Sequence, residues 1–154
     1  MKIIAFDLGK NFAWAHNAHG RQSSRIMTNH ATIEGARAHR LAATMELLTN
    51  LLTPLAFDLD AVVYETPFAR GRDATRSLWG IAGMIEACAT NAGLPCLDVA
   101  VPTIKKFATG HGKACKEDMI AAAKKFGYKG KNEHEADAVC LLRYAEANFE
   151  RVRK

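Results

Sequence analysis

An α/β fold is expected, built on a mixed five-stranded sheet whose first three strands run antiparallel and whose faces are covered by helices. Three observations lead there. Ile3-Ile4-Ala5-Phe6 is a short apolar run without helical period, the pattern of a strand buried on both faces. Two more strand-like stretches follow before any helical pattern begins. From residue 32 onward, helical periodicity alternates with two further short apolar strands and then continues as helices to the end.

Each element has its own local reason. Residues 11–18 and 22–28 read as the second and third strands, with Asn17-Ala18-His19-Gly20 as the turn between them. Leu41, Met45, Leu48 and Leu52 recur at helical spacing, so a helix is expected from Thr32, its N-cap, to Leu52, with Pro54 as the stop. Residues 60–65 form an apolar strand that ends on Glu65 and leaves through Pro67. A helix over 73–91 carries Leu78, Ile81, Ala82 and Ile85 on one stripe, with Gly80 and Gly83 placed to bring its backbone close to the sheet. Gly93 closes it, ahead of a last strand over 95–99. Helices over 102–108 and 115–126 flank the loop Thr109-Gly110-His111-Gly112. After a Gly/Lys linker, the final helix starts at Asn132, with Glu135 as the reciprocal partner of a capping box, and turns Ala136, Val139, Cys140, Leu141 and Tyr144 inward.

With 154 residues, 49% of them hydrophobic, the chain is long enough for one core and is read as a single domain over 1–154. No repeat, low-complexity tract or composition break suggests a boundary. The net charge of +5 favours a polyanionic partner, and its distribution says more than its size. Between residues 101 and 131 stand Lys105, Lys106, Lys113, Lys116, Lys124, Lys125, Lys129 and Lys131, opposed only by Glu117 and Asp118. Arg70, Arg72 and Arg76 make a second cluster around Asp73. Two separated basic patches suit a phosphate backbone better than one small anion. The cysteines Cys88, Cys96, Cys115 and Cys140 lack metal or disulfide-framework spacing and read as reduced thiols. With no leader and no long apolar run, the expectation is a cytoplasmic protein that makes no membrane contact.

Candidate chemistry lies in the acids. Asp7 closes the first strand and Glu65 the fourth, while His134 and Asp137 lie three apart in the first turn of the last helix and so share a face. Carboxylates with one imidazole suit Mg²⁺ or Mn²⁺. Two such ions roughly 4 Å apart clamp the attacking and leaving oxygens of a phosphodiester displacement. Glu133 and Glu135 compete for the ligand role, although Glu135 has its capping task and Glu133 projects from another face.

These residues resemble the RuvC-type Holliday-junction resolvases of the RNase H-like superfamily, especially their short bacteriophage forms. The match runs from Ile4 to about Leu142. Asp7-Leu8-Gly9 is similar to the opening motif, Glu65 to the second acid, and Asp137-Ala138-Val139 to the closing Asp-Ala motif. His134 stands where many members have Asp and some have His, so it is either a metal ligand or a proton-handling group. The segment from Pro102 to Glu117 resembles the family's lysine- and glycine-rich pattern, with Lys105 and Lys116 on lysines that approach phosphates near the cut.

The resemblance implies an RNase H-like fold and a homodimer that nicks two strands of a four-way DNA junction, with forks and flaps as further substrates. The host cytoplasm would be bacterial if the gene is a phage's. It implies two Mg²⁺ or Mn²⁺ ions per site, held by Asp7, Glu65, His134 and Asp137, with Lys116 as a further catalytic residue. DNA would be met by Phe68, Arg70, Arg72, Arg76, Lys105, Lys106, Lys113 and Lys116. Plain loop packing is the alternative for Phe68, and a solvated helix start for the arginines. Leu78, Trp79 and Met84 are candidates for the dimer contact. Two other readings stand beside this one: an RNase H-like nucleic-acid-binding module without catalysis, and an RNase H- or YqgF-like nuclease acting on RNA-containing substrates.

Overall fold

A computed structural model describes residues 1–9, 11–18, 26–68 and 71–152. Strands β1 (Ile3–Asp7), β2 (Asn11–His16) and β3 (Met27–Thr32) form an antiparallel meander. On the other side of β1, β4 (Ala61–Glu65) and β5 (Cys96–Val99) pair in parallel, so the order across the sheet is β3-β2-β1-β4-β5. The helices are α1 (Arg37–Leu55), α2 (Arg72–Asn91), α3 (Val101–Thr109), α4 (Lys116–Lys125) and α5 (Glu133–Val152).

Strand alternation splits the core in two. Ile4 and Phe6 of β1, with Val62 and Tyr64 of β4, face α1 and α2 and pack with Leu48, Leu52, Ile81 and Ile85. Ile3, Ala5 and Val63 face the other way, towards α3, α4 and α5, and pack with Ile104, Met119, Val139 and Leu142. Each fully buried Ile, Leu or Phe contributes about 1.5–3 kcal/mol. The same period decides where the acids go: residues 3, 5 and 7 share one face, as do 61, 63 and 65, so Asp7 and Glu65 both belong to the α5 side.

Several boundaries differ from the sequence-based expectation. β3 runs on to Thr32, four residues past the expected end at 28, because it is a mostly exposed edge strand with no apolar alternation to mark it. The expected turn and strand over 19–25 lie outside the described residues. Thr32 is therefore the end of a strand, its hydroxyl donating to Asn11 at 3.1 Å, and α1 starts at Arg37 after an Ala36 N-cap that makes no side-chain bond. Pro54 sits inside the last turn of α1, which ends one residue later and passes into a 3-10 turn over Ala56–Asp58. Met45 is 37% exposed, while Thr44 takes the buried place beside Leu48. A Cβ on Gly80 would come within 3.1 Å of Leu41, so this glycine admits α1 rather than the sheet, and a Cβ on Gly83 would meet open space.

The last helix keeps its Asn132 cap, whose Oδ1 accepts from the His134 and Glu135 backbone N–H groups at 2.9 and 3.1 Å. The reciprocal half of the capping box is absent. Glu135 instead accepts from Thr28 Oγ1 at 2.7 Å, and the Asn132 N–H donates to the Tyr128 hydroxyl at 3.0 Å. A capping box forms at α4, where the Cys115 N–H donates to Asp118 at 3.0 Å. All four cysteines are free thiols. Among the described residues, no helix is long and apolar enough to cross a membrane.

Candidate active site

Parallel pairing of β1 with β4 runs Ile3 to Ala61 through Phe6 to Tyr64, and the same register carried one step further sets Asp7 beside Glu65. Adjacent strands lie about 4.8 Å apart, so the two carboxylates are neighbours. Both stand at carboxyl ends of central strands where the chain turns outward to either side, the position at which open α/β sheets bind ligands. The first turn of α5 closes over them. His134 Nδ1 is 2.8 Å from Asp7 Oδ2, and its Nε2 is 3.2 Å from Asn11 Nδ2. Asp137 lies one turn further on the same helix face, its Oδ1 buried with no hydrogen-bond partner among the described residues.

Electrostatics tie these groups together. Burial pushes the Glu65 carboxyl up to about 8, with Asp7 and Asp137 adding to the rise and Lys105 and His134 opposing it. Asp137 is pushed up to about 7 by burial and by Asp7, again opposed by Lys105 and His134. Burial also raises Asp7, against the pull of its hydrogen bond from His134. His134 is itself raised, first by that bond to Asp7. Three neighbouring acids are thus each raised above the ordinary carboxylate value.

The expected cations divide into two groups. Lys105, half-buried on α3, donates to the Ala114 carbonyl at 2.8 Å and lowers both Glu65 and Asp137, so it stands within the field of the acids. Lys116, the first residue of α4, is bound to Glu133 Oε1 at 2.6 Å. Lys106 and Lys113 are exposed on the same basic segment. Arg72 and Arg76 are exposed on the first turns of α2, after the loop that leaves Glu65. Arg70 lies outside the described residues. Phe68 is 77% exposed and, with Glu65, Pro67 and residues 100–102, lines a largely apolar cavity of about 520 Å³.

Two neighbours were missed in the sequence. Asn11 reaches His134 from the start of β2, and the short Asp7-to-Asn11 hairpin connection is a signal that could have found it. Glu133, set aside as facing elsewhere, bridges Lys116 and His134, and nothing in its own helix spacing foretells that.

Mg²⁺ or Mn²⁺ suits this donor set on one observation above all, the buried and unpartnered Asp137 Oδ1 among carboxylates that raise one another. Among the described residues, no three His, Cys, Asp or Glu side chains are gathered into a ready-made metal cage. Uncompensated like charges resist being drawn closer, and His134 is engaged on Asp7.

A mixed sheet of this order, with helices on both faces, is an RNase H-like fold. Within that class the chain has the fold of the RuvC-type Holliday-junction resolvases. A Thermus thermophilus RuvC structure matches with a TM-score of 0.72 at 19% identity, covering 96% of this chain and 96% of that chain. T. thermophilus RuvC in complex with a Holliday junction substrate matches with a TM-score of 0.76 at 19% identity, covering 98% of this chain and 95% of that one. No family model and no curated protein sequence matches the chain.

Proposed function

We propose that this protein is a structure-selective, metal-dependent endodeoxyribonuclease that resolves four-way DNA junctions by paired nicks. The observation that carries this reading is the meeting of Asp7, Glu65 and Asp137 on one face at one end of the sheet, where burial and mutual repulsion raise two of them to about 8 and 7. Structural acids are not normally left in that condition, whereas sites that bind divalent cations or move protons are. The likeness in fold to a RuvC bound to a Holliday junction supports branched DNA as the partner.

In this reading Asp7, Glu65, Asp137 and His134 hold two Mg²⁺ or Mn²⁺ ions, which when bound supply Lewis-acid activation for phosphodiester hydrolysis. Asn11 fixes the His134 ring. Lys105 and Lys116 offset charge that develops on the phosphate. Lys106, Lys113, Arg70, Arg72 and Arg76 hold the backbone, and Phe68, exposed at the rim, stacks on bases opened at the crossover. One domain acts as half of a homodimer, because a two-fold pair presents two identical sites to a nearly two-fold junction. Leu78, Trp79 and Met84 on α2 are the candidates for that contact, and Trp79 is 51% exposed.

The test is a gel assay of the purified protein on a synthetic four-way junction, a Y-fork, a linear duplex and an RNA–DNA hybrid, each with and without Mn²⁺. Paired, Mn²⁺-dependent nicks in the junction are expected. Cutting of the hybrid alone would move the protein to the RNA-directed class, and strong cutting in excess chelator would reject the metal scheme.

A further inference from the structure

The contact that the proposed reaction leaves unused is the ion pair between the first residues of two helices. Lys116 opens α4 and Glu133 opens α5, and Lys116 Nζ lies 2.6 Å from Glu133 Oε1. That same oxygen is 3.5 Å from His134 Nε2, and His134 Nδ1 is 2.8 Å from Asp7 Oδ2. A continuous chain of side chains therefore links an exposed lysine to the most buried acid of the site.

Two features make the outer link exchangeable. A cation at the start of a helix sits at the wrong end of the macrodipole, so Lys116 gains little from its own helix and depends on nearby anions. The Lys116 and Glu133 side chains are 69% and 34% exposed, and ion pairs so open to water are weak. A phosphodiester at the acid pocket presents the lysine with a competing anion. The displaced Glu133 then faces that phosphate as a like charge and has water, to which it is already open, to turn to.

We propose that Glu133 is a positioning residue for Lys116: its carboxylate occupies the lysine's anion slot in the free protein and yields it to a DNA phosphate. This rests on the nuclease reading above and adds a specific regulation of that site. Glu133 tethers the ammonium beside the acids and at the same time sets a threshold that only a correctly placed phosphate overcomes.

A double-mutant cycle on junction binding, measured in chelator so that no strand is cut, tests this. Glu133→Gln is expected to bind a four-way junction about 2–5-fold tighter than wild type, the scale of an exposed ion pair. In a Lys116→Gln background the same change is expected to give no gain. Glu117→Gln removes an equal charge from the neighbouring residue, whose carboxylate is engaged by Cys115, and serves as the charge-matched control. A gain that persists without Lys116, or that Glu117→Gln reproduces, is general charge repulsion and overturns the role. No gain at all overturns it too. Wild-type protein that binds no branched DNA would instead overturn the nuclease reading, so the two failures are distinguishable.

Discussion

Two glutamates on the α5 side of the sheet have opposite surroundings. Glu135 accepts hydrogen bonds from Thr28 Oγ1 at 2.7 Å, from His30 Nδ1 at 2.6 Å and from Tyr128 Oη at 3.2 Å. Burial pushes its carboxyl up, yet these bonds together outweigh burial and hold it below the usual carboxylate range. Glu65 is more deeply buried and has two further acids as neighbours, and it is pushed up to about 8. The chain therefore satisfies an acid where it serves the fold, clamping β3 to α5, and leaves acids under-compensated at the ends of β1 and β4. Under-compensation costs stability and keeps oxygens free for a ligand.

The most severe way to break the contrast is Asp7→Asn. It keeps the shape and removes the charge that both other acids feel, so cleavage of a four-way junction should fall by about 10²–10³-fold or more, the scale set by losing one charge-handling group in a site. Junction binding should be kept or improved, because a negative charge has left the DNA face. Single-turnover cleavage beside a mobility-shift titration separates the two. Cleavage at the wild-type rate would remove Asp7 from the reaction.

Next in size is the pH dependence of stability in chelator. The folded value of Glu65 lies above its ordinary 4.5, so between about 4.5 and 8 the native state binds more protons than the unfolded one. Stability must then fall as pH rises through that window, by on the order of a few kcal/mol from Glu65 and Asp137 together. Urea unfolding at intervals from pH 5 to 8 should show the decline, and Glu65→Gln should flatten much of it. Mn²⁺ should stabilise more at pH 8 than at pH 5. A level profile in the wild type would mean that the acids are compensated after all.

How far this contrast can be read in the sequence depends on how local its causes are. The face of Asp7 and of Glu65 follows from strand period alone, since Ile3-Ala5-Asp7 and Ala61-Val63-Glu65 alternate against their buried neighbours. His134 and Asp137 follow from helical spacing in the same way. Glu135 does not. Its position three residues after Asn132 fits a capping box, but partners on β3 and in the α4–α5 connection compete more strongly for its carboxylate, and they are 107, 105 and 7 residues away. The end of β3 at Thr32 is not legible, because exposed edge residues carry no alternation. The Lys116–Glu133 pair depends on how two helix starts are brought together by packing, which no spacing within either helix encodes.

Glu135→Gln attacks the satisfied side and should act with the opposite sign. A lowered folded value means that the stabilisation is present above the ordinary 4.5 and is lost as pH falls through the folded value. The variant should be about 1–2 kcal/mol less stable than wild type at pH 7, with the gap closing as pH falls below the usual carboxylate range. Cleavage should change little. A gap that widens in acid would contradict the assignment of Glu135 as an ionised structural anchor.

The smallest effect is expected from Tyr128→Phe, and it is the sharpest probe of where the structural network stops. The Tyr128 hydroxyl accepts from the Asn132 N–H at 3.0 Å and lies 3.0 Å from the Asn132 carbonyl and 3.2 Å from Glu135 Oε2, so it locks the entry to α5. Deleting it leaves Thr28 and His30 to hold Glu135 and opens one backbone donor, a cost of about 1 kcal/mol by urea unfolding. His134 is two residues into the helix that this lock orients, yet it has its own fixings in Asp7 and Asn11. If those suffice, Tyr128→Phe cuts junctions within about twofold of wild type, a difference of less than about 0.5 kcal/mol in the barrier. A loss approaching that of Asp7→Asn would mean that the capping network sets the His134 geometry, and the two glutamates would then belong to one site rather than two.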